Sequence, residues 1–229
     1  MTRTAATSTA DSAPDRSGRI ARAFAKHGLL LLSDRSLPSV AGLVIGGPVI
    51  GSWWAHPLCH EIYDSSQKLM RRGDALRVKF VNGKVTYVHR RLWPDFLAIV
   101  TASHPWQFES LPDKAHRLFE ATLRAGCLTA FQGPMATKEF GDCARVLESR
   151  LLVFGDDVHT PAGAHVKRVE AWKHWAHRMK ISLTKLPNAS AAMTTFDDLV
   201  ADLSSEFSVN AGLPWQRKAV LRSSRPRTA

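Results

Sequence analysis

Cysteine is scarce: Cys59, Cys127 and Cys143 are the whole complement in 229 residues, and no two form a CxxC pair. An odd, unspaced set of this kind argues against a disulfide framework and suits reduced core thiols in a cytoplasm. Long apolar runs are missing as well. Leu29 to Leu32 is four residues of a core element, far short of the ~20 that span a bilayer, so no membrane partner is expected. The P-loop, the dinucleotide glycine fingerprint and GxSxG are all absent, which counts against enzymes of those classes. The first eighteen residues lack the apolar centre of a secretory signal and read as a flexible arm, with Asp11 and Asp15 against an organelle transit peptide.

Acid is also in short supply, 20 Asp and Glu against 31 Lys and Arg, for a net charge of +11. Its location matters more than its size. Ile62 to Arg91 carries eight Lys or Arg against Asp64 and Asp74, and Leu213 to Ala229 carries five with no acid, so these two stretches account for the whole excess. Positive charge gathered in this way favours a polyanion, nucleic acid before an acidic membrane, although a basic tail can be a solvated end.

The densest signal is LRVKFVNGKVTYVHRRLWP, Leu76 to Pro94. Asn82-Gly83 between alternating runs predicts a hairpin with a two-residue turn. That register sets Phe80 opposite Val85, Val78 opposite Tyr87 and Leu76 opposite His89 on an apolar face. Lys79 then faces Thr86, and Arg77 faces Val88, on a basic one. Trp93-Pro94 suits the first turn of a helix reaching about Val100.

Helices are expected over Arg19 to His27, from near Pro38 to Gly46, and from Pro57 to Arg72 with Leu58, Ile62 and Leu69 inward. Further on, Ser110 and Asp113 resemble a capping box for a helix with Leu118, Phe119, Thr122 and Leu123 inside. Thr137 is expected to cap a helix to Ser149, Leu151 to Phe154 to form a strand, and His165 to Met179 to be helical. Thr194 or Thr195 is expected to cap a last helix carrying Phe196, Leu199, Val200, Leu203 and Phe207 in one stripe.

Several side chains could carry chemistry, and each has a plainer reading beside it. Adjacent Trp53 and Trp54 cannot easily both join one core from a regular element, so one could be exposed to stack on bases or sit at an interface, but both are more simply anchors between a loop and a helix. His56 and His60 are spaced to share a metal, but the order HxxxHE is not HExxH and no third ligand follows, so no metal and no cofactor is expected. Asp157 and His159 are suited to acid-base work, yet turns attract Asp for local backbone bonds, and no nucleophile is paired with them. Cys59 between the two histidines is most simply a small buried hydrophobe.

The segments GSWWAHP, VHRRLWP and DDVHTPAGAH resemble signatures of an uncharacterised bacterial protein family. The order of helices and hairpin over residues 19 to 180 also resembles, in architecture alone, tandem winged-helix DNA-binding proteins. That resemblance implies an α+β, mainly helical chain of winged-helix-like units with short β-hairpins: an arm at 1–18, a unit at 19–105 with its hairpin at 76–89, a second unit at 106–185, and a C-terminal helix and basic tail at 193–229.

The expected function is binding of nucleic acid, DNA first, by a cytoplasmic protein. Arg71, Arg72, Arg77, Lys79, Lys84, Arg90 and Arg91 would meet phosphates, Gln67 and Lys68 would read bases, and Trp53 and Trp54 would stack. Two readings compete with it. One is an enzyme acting on a flipped base, with Glu61, Asp157 or His159 as acid or base. The other is an interaction module, a homo-oligomer included, joined through the tryptophans.

Overall fold

The computed structural model describes residues 16–159, 163 and 165–216. It begins with α1 (Arg16–His27), whose Ile20 and Phe24 are buried. Gly28 ends this helix at φ 73, where a side chain would collide with Arg91 and Leu92. The chain then enters β1 (Leu29–Leu31), buried on both faces. Next is α2 (Val40–Ile45), where the Ser39 hydroxyl accepts from the Gly42 amide and Gly46 closes the helix at φ 81. A 3-10 turn at Trp53–Ala55 leads into α3 (Cys59–Arg71), which turns Ile62, Ser66 and Leu69 inward.

The hairpin is present as β2 (Ala75–Lys79) and β3 (Val85–His89), but its register differs from the expected one by a residue. Leu76 pairs with Val88, Arg77 with Tyr87, Val78 with Thr86 and Lys79 with Val85. Asn82 and Gly83 do take the positive φ that Asn-Gly favours, 53° and 68°. They do so inside a 3-10 turn, in which Gly83 N–H donates to Phe80 carbonyl and Phe80 N–H to Lys84 carbonyl. One extra loop residue moves every β3 side chain to the other face. Tyr87 therefore shares the face of Arg77, while Thr86 and Val88 join the apolar side. The buried Thr86 hydroxyl is satisfied, donating to Lys84 carbonyl and accepting from the Val81 amide.

After α4 (Trp93–Val100) and the single turn α5 (Pro105–Phe108), the chain repeats its opening order with one helix fewer, in α6 (Asp113–Ala125), β4 (Cys127–Thr129), α7 (Thr137–Ser149), β5 (Phe154–His159) and β6 (His165–Glu170). Both sheets are antiparallel, ordered β1-β3-β2 and β4-β6-β5, with the last strand central in each. Last come α8 (Trp172–Arg178) and α9 (Ala189–Glu206). The chain is thus an α+β protein, and its described residues are mainly helical with two short hairpins.

Several boundaries differ from expectation for local reasons. Ser110 lies outside α6, which starts behind Pro112, and Leu123 on that helix is half-exposed. Residues 165 to 170 are strand rather than helix, since β4 and β5 claim them from both sides. Thr137 lies inside α7 behind Ala136. The cap of α9 is Asn188, whose side-chain oxygen accepts from the Ser190 and Ala191 amides.

Each half has its own apolar cluster, and a third cluster joins them. At its centre Phe96 of α4 meets Phe80, Trp172 and Phe196 at 5.5, 5.3 and 6.3 Å between ring centroids, all near perpendicular. The Trp93 indole donates to Val88 carbonyl and that of Trp172 to Leu151 carbonyl, so neither buried N–H is orphaned. Beside them Glu170, 2% exposed, ends β6 and accepts from Arg178 at 3.1 and 2.7 Å while bonding the His174 ring.

Burial alone would raise the Glu170 pKa; the bonds from Arg178 and His174 outweigh it and leave the carboxyl below its ordinary value. Stability from this group is therefore present above the ordinary glutamate pKa and lost as pH falls through the depressed one. Glu170→Gln is expected to cost about 2 kcal/mol at pH 7, less than a fully buried pair because Arg178 and His174 are about half exposed. Urea unfolding of both proteins should show the full gap at pH 6 and a gap that narrows as pH falls below the ordinary glutamate value of 4.5.

Candidate nucleic-acid interface

On one face of the first sheet the cross-strand rows run Ala75–His89, Arg77–Tyr87 and Lys79–Val85. Ala75 and Tyr87 lie in the core made by α1, α2 and α3. At the other end Lys79 reaches Glu148 of α7 at 3.2 Å. Arg77 lies between these two ends, so this sheet face runs from beneath α3 to α7. A cleft of about 540 Å³ opens there, lined by Arg77, Lys79, Arg145, Lys167, Glu148 and Asp157 among others. Its four cations outnumber its two carboxylates.

Glu148, 8% exposed, holds the cleft together. One carboxylate oxygen faces Lys79 and the other Lys167 of β6, so a single anion ties the first hairpin to the second. The carboxylate lies directly over Gly155, where an added Cβ would collide with it. Arg145 on the same helix is exposed and paired with Asp142. This junction was not visible in the sequence, because no spacing rule connects Lys79, Glu148 and Lys167.

The expected phosphate contacts divide into two groups. Lys84 is paired with Asp34 at 2.6 Å, and Arg72 with Asp74 at 2.8 Å. Arg91 donates to the Ala25 and Lys26 carbonyls at the end of α1, and Arg90 lies 5.7 Å from the Trp93 ring centroid. With Lys79 bound to Glu148, these cations serve the fold. Lys68, Arg71 and Arg77 have no acidic partner among the described residues. Lys68 and Arg71 are exposed on α3, and Gln67 beside them is half-buried.

The turn at Asn82 is no free wing tip either. Asn82 N–H donates to Gly212 carbonyl and its side-chain oxygen accepts from the Gly212 amide, both at 2.8 Å. The five cations of the basic tail lie outside the described residues. His89, which precedes the arginines, accepts from the Arg91 amide through Nδ1. Burial lowers its pKa, with Arg91 and Arg72 adding to that effect and Asp74 opposing it.

The two tryptophans do separate as their adjacency requires. Trp53 is half-buried against the first core, and Trp54, stacked on it at 4.0 Å, is 61% exposed. Tyr63, which the sequence did not single out, stands 6.1 Å from Trp54 and is also exposed; its only sequence signal is an aromatic on the outer side of an amphipathic helix.

The remaining candidates are not brought together. Glu61 is bound to Arg16 on the outside of α3, Asp157 lies in the cleft 4.0 Å from Lys167, and His159 pairs across the strand with His165 at 3.9 Å between ring centroids. The cleft that holds Asp157 is lined by neither Glu61 nor Trp53 and Trp54. His56 uses Nδ1 to accept from the Leu58 amide, and His60 is exposed. Among the described residues no three His, Cys, Asp or Glu side chains are grouped to hold a metal. Burial pushes the Cys127 and Cys143 thiols up, away from thiolate chemistry. No helix among the described residues is long and apolar enough to cross a membrane.

If the Glu148 carboxylate sets the spacing of the two hairpins, Gly155→Ala should displace it and cost about 1–3 kcal/mol, the usual range for overpacking. Thermal unfolding would measure the loss, and Gly141→Ala, inside α7 where the added methyl meets open space, should instead raise stability by about 0.5–1 kcal/mol.

Compared with protein-family models, with curated proteins and with solved structures, the chain finds no match in any of the three.

Proposed function

We propose that this protein binds nucleic acid, DNA in the first instance, through the exposed cations of α3 and the Arg77 row of the first sheet. The observation that carries the reading is the set of unpaired cations. Lys68 and Arg71 stand on α3 and Arg77 on the sheet face beside it, while the neighbouring cations are engaged with protein groups. Leaving such charges without acidic partners is what a polyanion site needs, since each phosphate neutralised releases a condensed counterion. Helix, strand, two helices and a two-stranded hairpin, with a sheet ordered β1-β3-β2, is also the arrangement expected of a winged-helix unit, whose third helix meets the groove. Here the hairpin contributes its strand face rather than its tip, and the basic tail adds affinity without sequence preference. A base-processing enzyme is less well supported, because Glu61 and the tryptophans do not share the cleft with Asp157.

The test is fluorescence anisotropy with labelled duplex and single-stranded DNA over a series of salt concentrations. Replacing Lys68, Arg71 and Arg77 together by Ala should weaken binding about ten-fold or more and reduce the slope of log affinity against log salt by about 3. Replacing Arg117 and Arg124, exposed on α6, should change neither. Absence of salt-dependent binding by the intact protein, or equal binding by the triple variant, would overturn the proposal.

A further inference from the structure

Trp54 stands apart from the other tryptophans. Trp93, Trp172 and Trp175 are buried, and Trp53, Trp106 and Trp215 are half-buried, but Trp54 keeps 61% of its surface exposed. It is nevertheless held in place. The 3-10 turn is closed by the His56 amide donating to Trp53 carbonyl, and His56 in turn accepts from the Leu58 amide. Trp53 packs on the first core, and Trp54 lies on it with 25° between the ring planes. The result is a preorganised aromatic plane facing solvent, flanked by Tyr63 at a 35° tilt, with Ile50 exposed in the same loop.

We infer that Trp54, with Tyr63 beside it, is a stacking platform for an unpaired nucleobase. The nucleic acid bound by this protein would then contain single-stranded, bulged or extruded bases. The inference rests on the nucleic-acid reading above and adds the kind of substrate.

Two features favour this occupant. The first is continuity with unpaired charge along one helix. On α3 Tyr63, Gln67 and Arg71 recur every four residues, so one stripe runs from an aromatic ring through an amide to a guanidinium, while Lys68 stands toward α1 in the groove lined by Ser17 and Ile20. A strand whose base lay on Trp54 could run its phosphates along this stripe toward Arg71. Asp64 is the acid on this exposed side, and Glu61 is neutralised by Arg16. Sequence-tolerant single-strand binding uses this combination of a ring for the base and cations for the backbone.

The second is area. An aromatic side chain covers about 150–250 Å² when fully buried. At 61% exposure for Trp54 and 45% for Tyr63, and with Ile50 added, the patch offers on the order of 400 Å². That is about half of the ~800 Å² per partner in a stable protein interface, and a planar base needs much less.

The experiment measures anisotropy with three fluorescein-labelled probes: a single strand of about 20 nucleotides, the blunt duplex, and the same duplex with one bulged base. Intact protein should prefer the first and third over the blunt duplex. Trp54→Ala should weaken those two about 5- to 100-fold, the usual contribution of one stacked base, while the salt slope stays unchanged because no cation is removed. Trp54→Phe should restore part of the loss, and the thermal unfolding midpoint should confirm that both variants fold. Salt-dependent binding without preference among the probes, or a preference that survives Trp54→Ala, would overturn the platform and leave the nucleic-acid reading standing. A dimer seen by light scattering and lost in Trp54→Ala would make the patch a protein interface instead. If no probe binds with a salt slope, both readings fail together.

Discussion

The packing of Phe96 against Phe80, Trp172 and Phe196 is the constraint on which the other relations depend. Each ring comes from a different part of the chain: α4, the first hairpin turn, α8 and α9. A perpendicular aromatic pair contributes about 0.5–1.5 kcal/mol beyond its area burial, but its geometric effect matters more here. Phe80 fixes the hairpin from the apolar side and turns the Arg77 and Lys79 row toward α7. Trp172 carries α8 and, through Ala171 and Glu170, the end of the second sheet. The two sheets are thereby set close enough for one carboxylate, Glu148, to reach a lysine on each.

This arrangement separates the charge a sequence carries from the charge a surface offers. Thirteen cations in two stretches account for the whole net charge, and eight of them fall in the described part. Five of those eight bind carboxylates, carbonyls or a ring, so their interaction with a polyanion would have to compete with bonds already made. Lys68, Arg71 and Arg77 face no such competition. Lys68 and Arg71 stand on the same helix as Tyr63, further along α3, which gives that helix an aromatic part and a charged part.

What could be read beforehand follows the range of the forces involved. The early helices and α4 were legible because their signals are local: an apolar stripe, Gly28 and Gly46 at helix ends, proline at the start of α4. The hairpin was legible from Asn82-Gly83, and the αL backbone is indeed there. Its register was not, because that depends on Gly212 gripping Asn82 and on Phe80 entering a core built from distant residues. Residues 165 to 170 looked helical since Val169, Trp172 and Trp175 have helical spacing; non-local pairing to β4 and β5 decided otherwise. For the site, Trp54, Lys68, Arg71 and Arg77 were among the residues named from sequence. The exposure of Trp54, Lys68 and Arg71, the partial burial of Arg77, and the engagement of Lys79, Lys84 and Arg91 elsewhere required the fold.

The most direct measurement is amide chemical-shift mapping of the isotope-labelled full chain as DNA is added at low salt. Shifts should concentrate at Trp53 to Ala55, along α3 and around Arg77, extend to Arg145, and leave α6 unchanged. Perturbation centred on α6 or α9, or none at saturating DNA, would contradict the account.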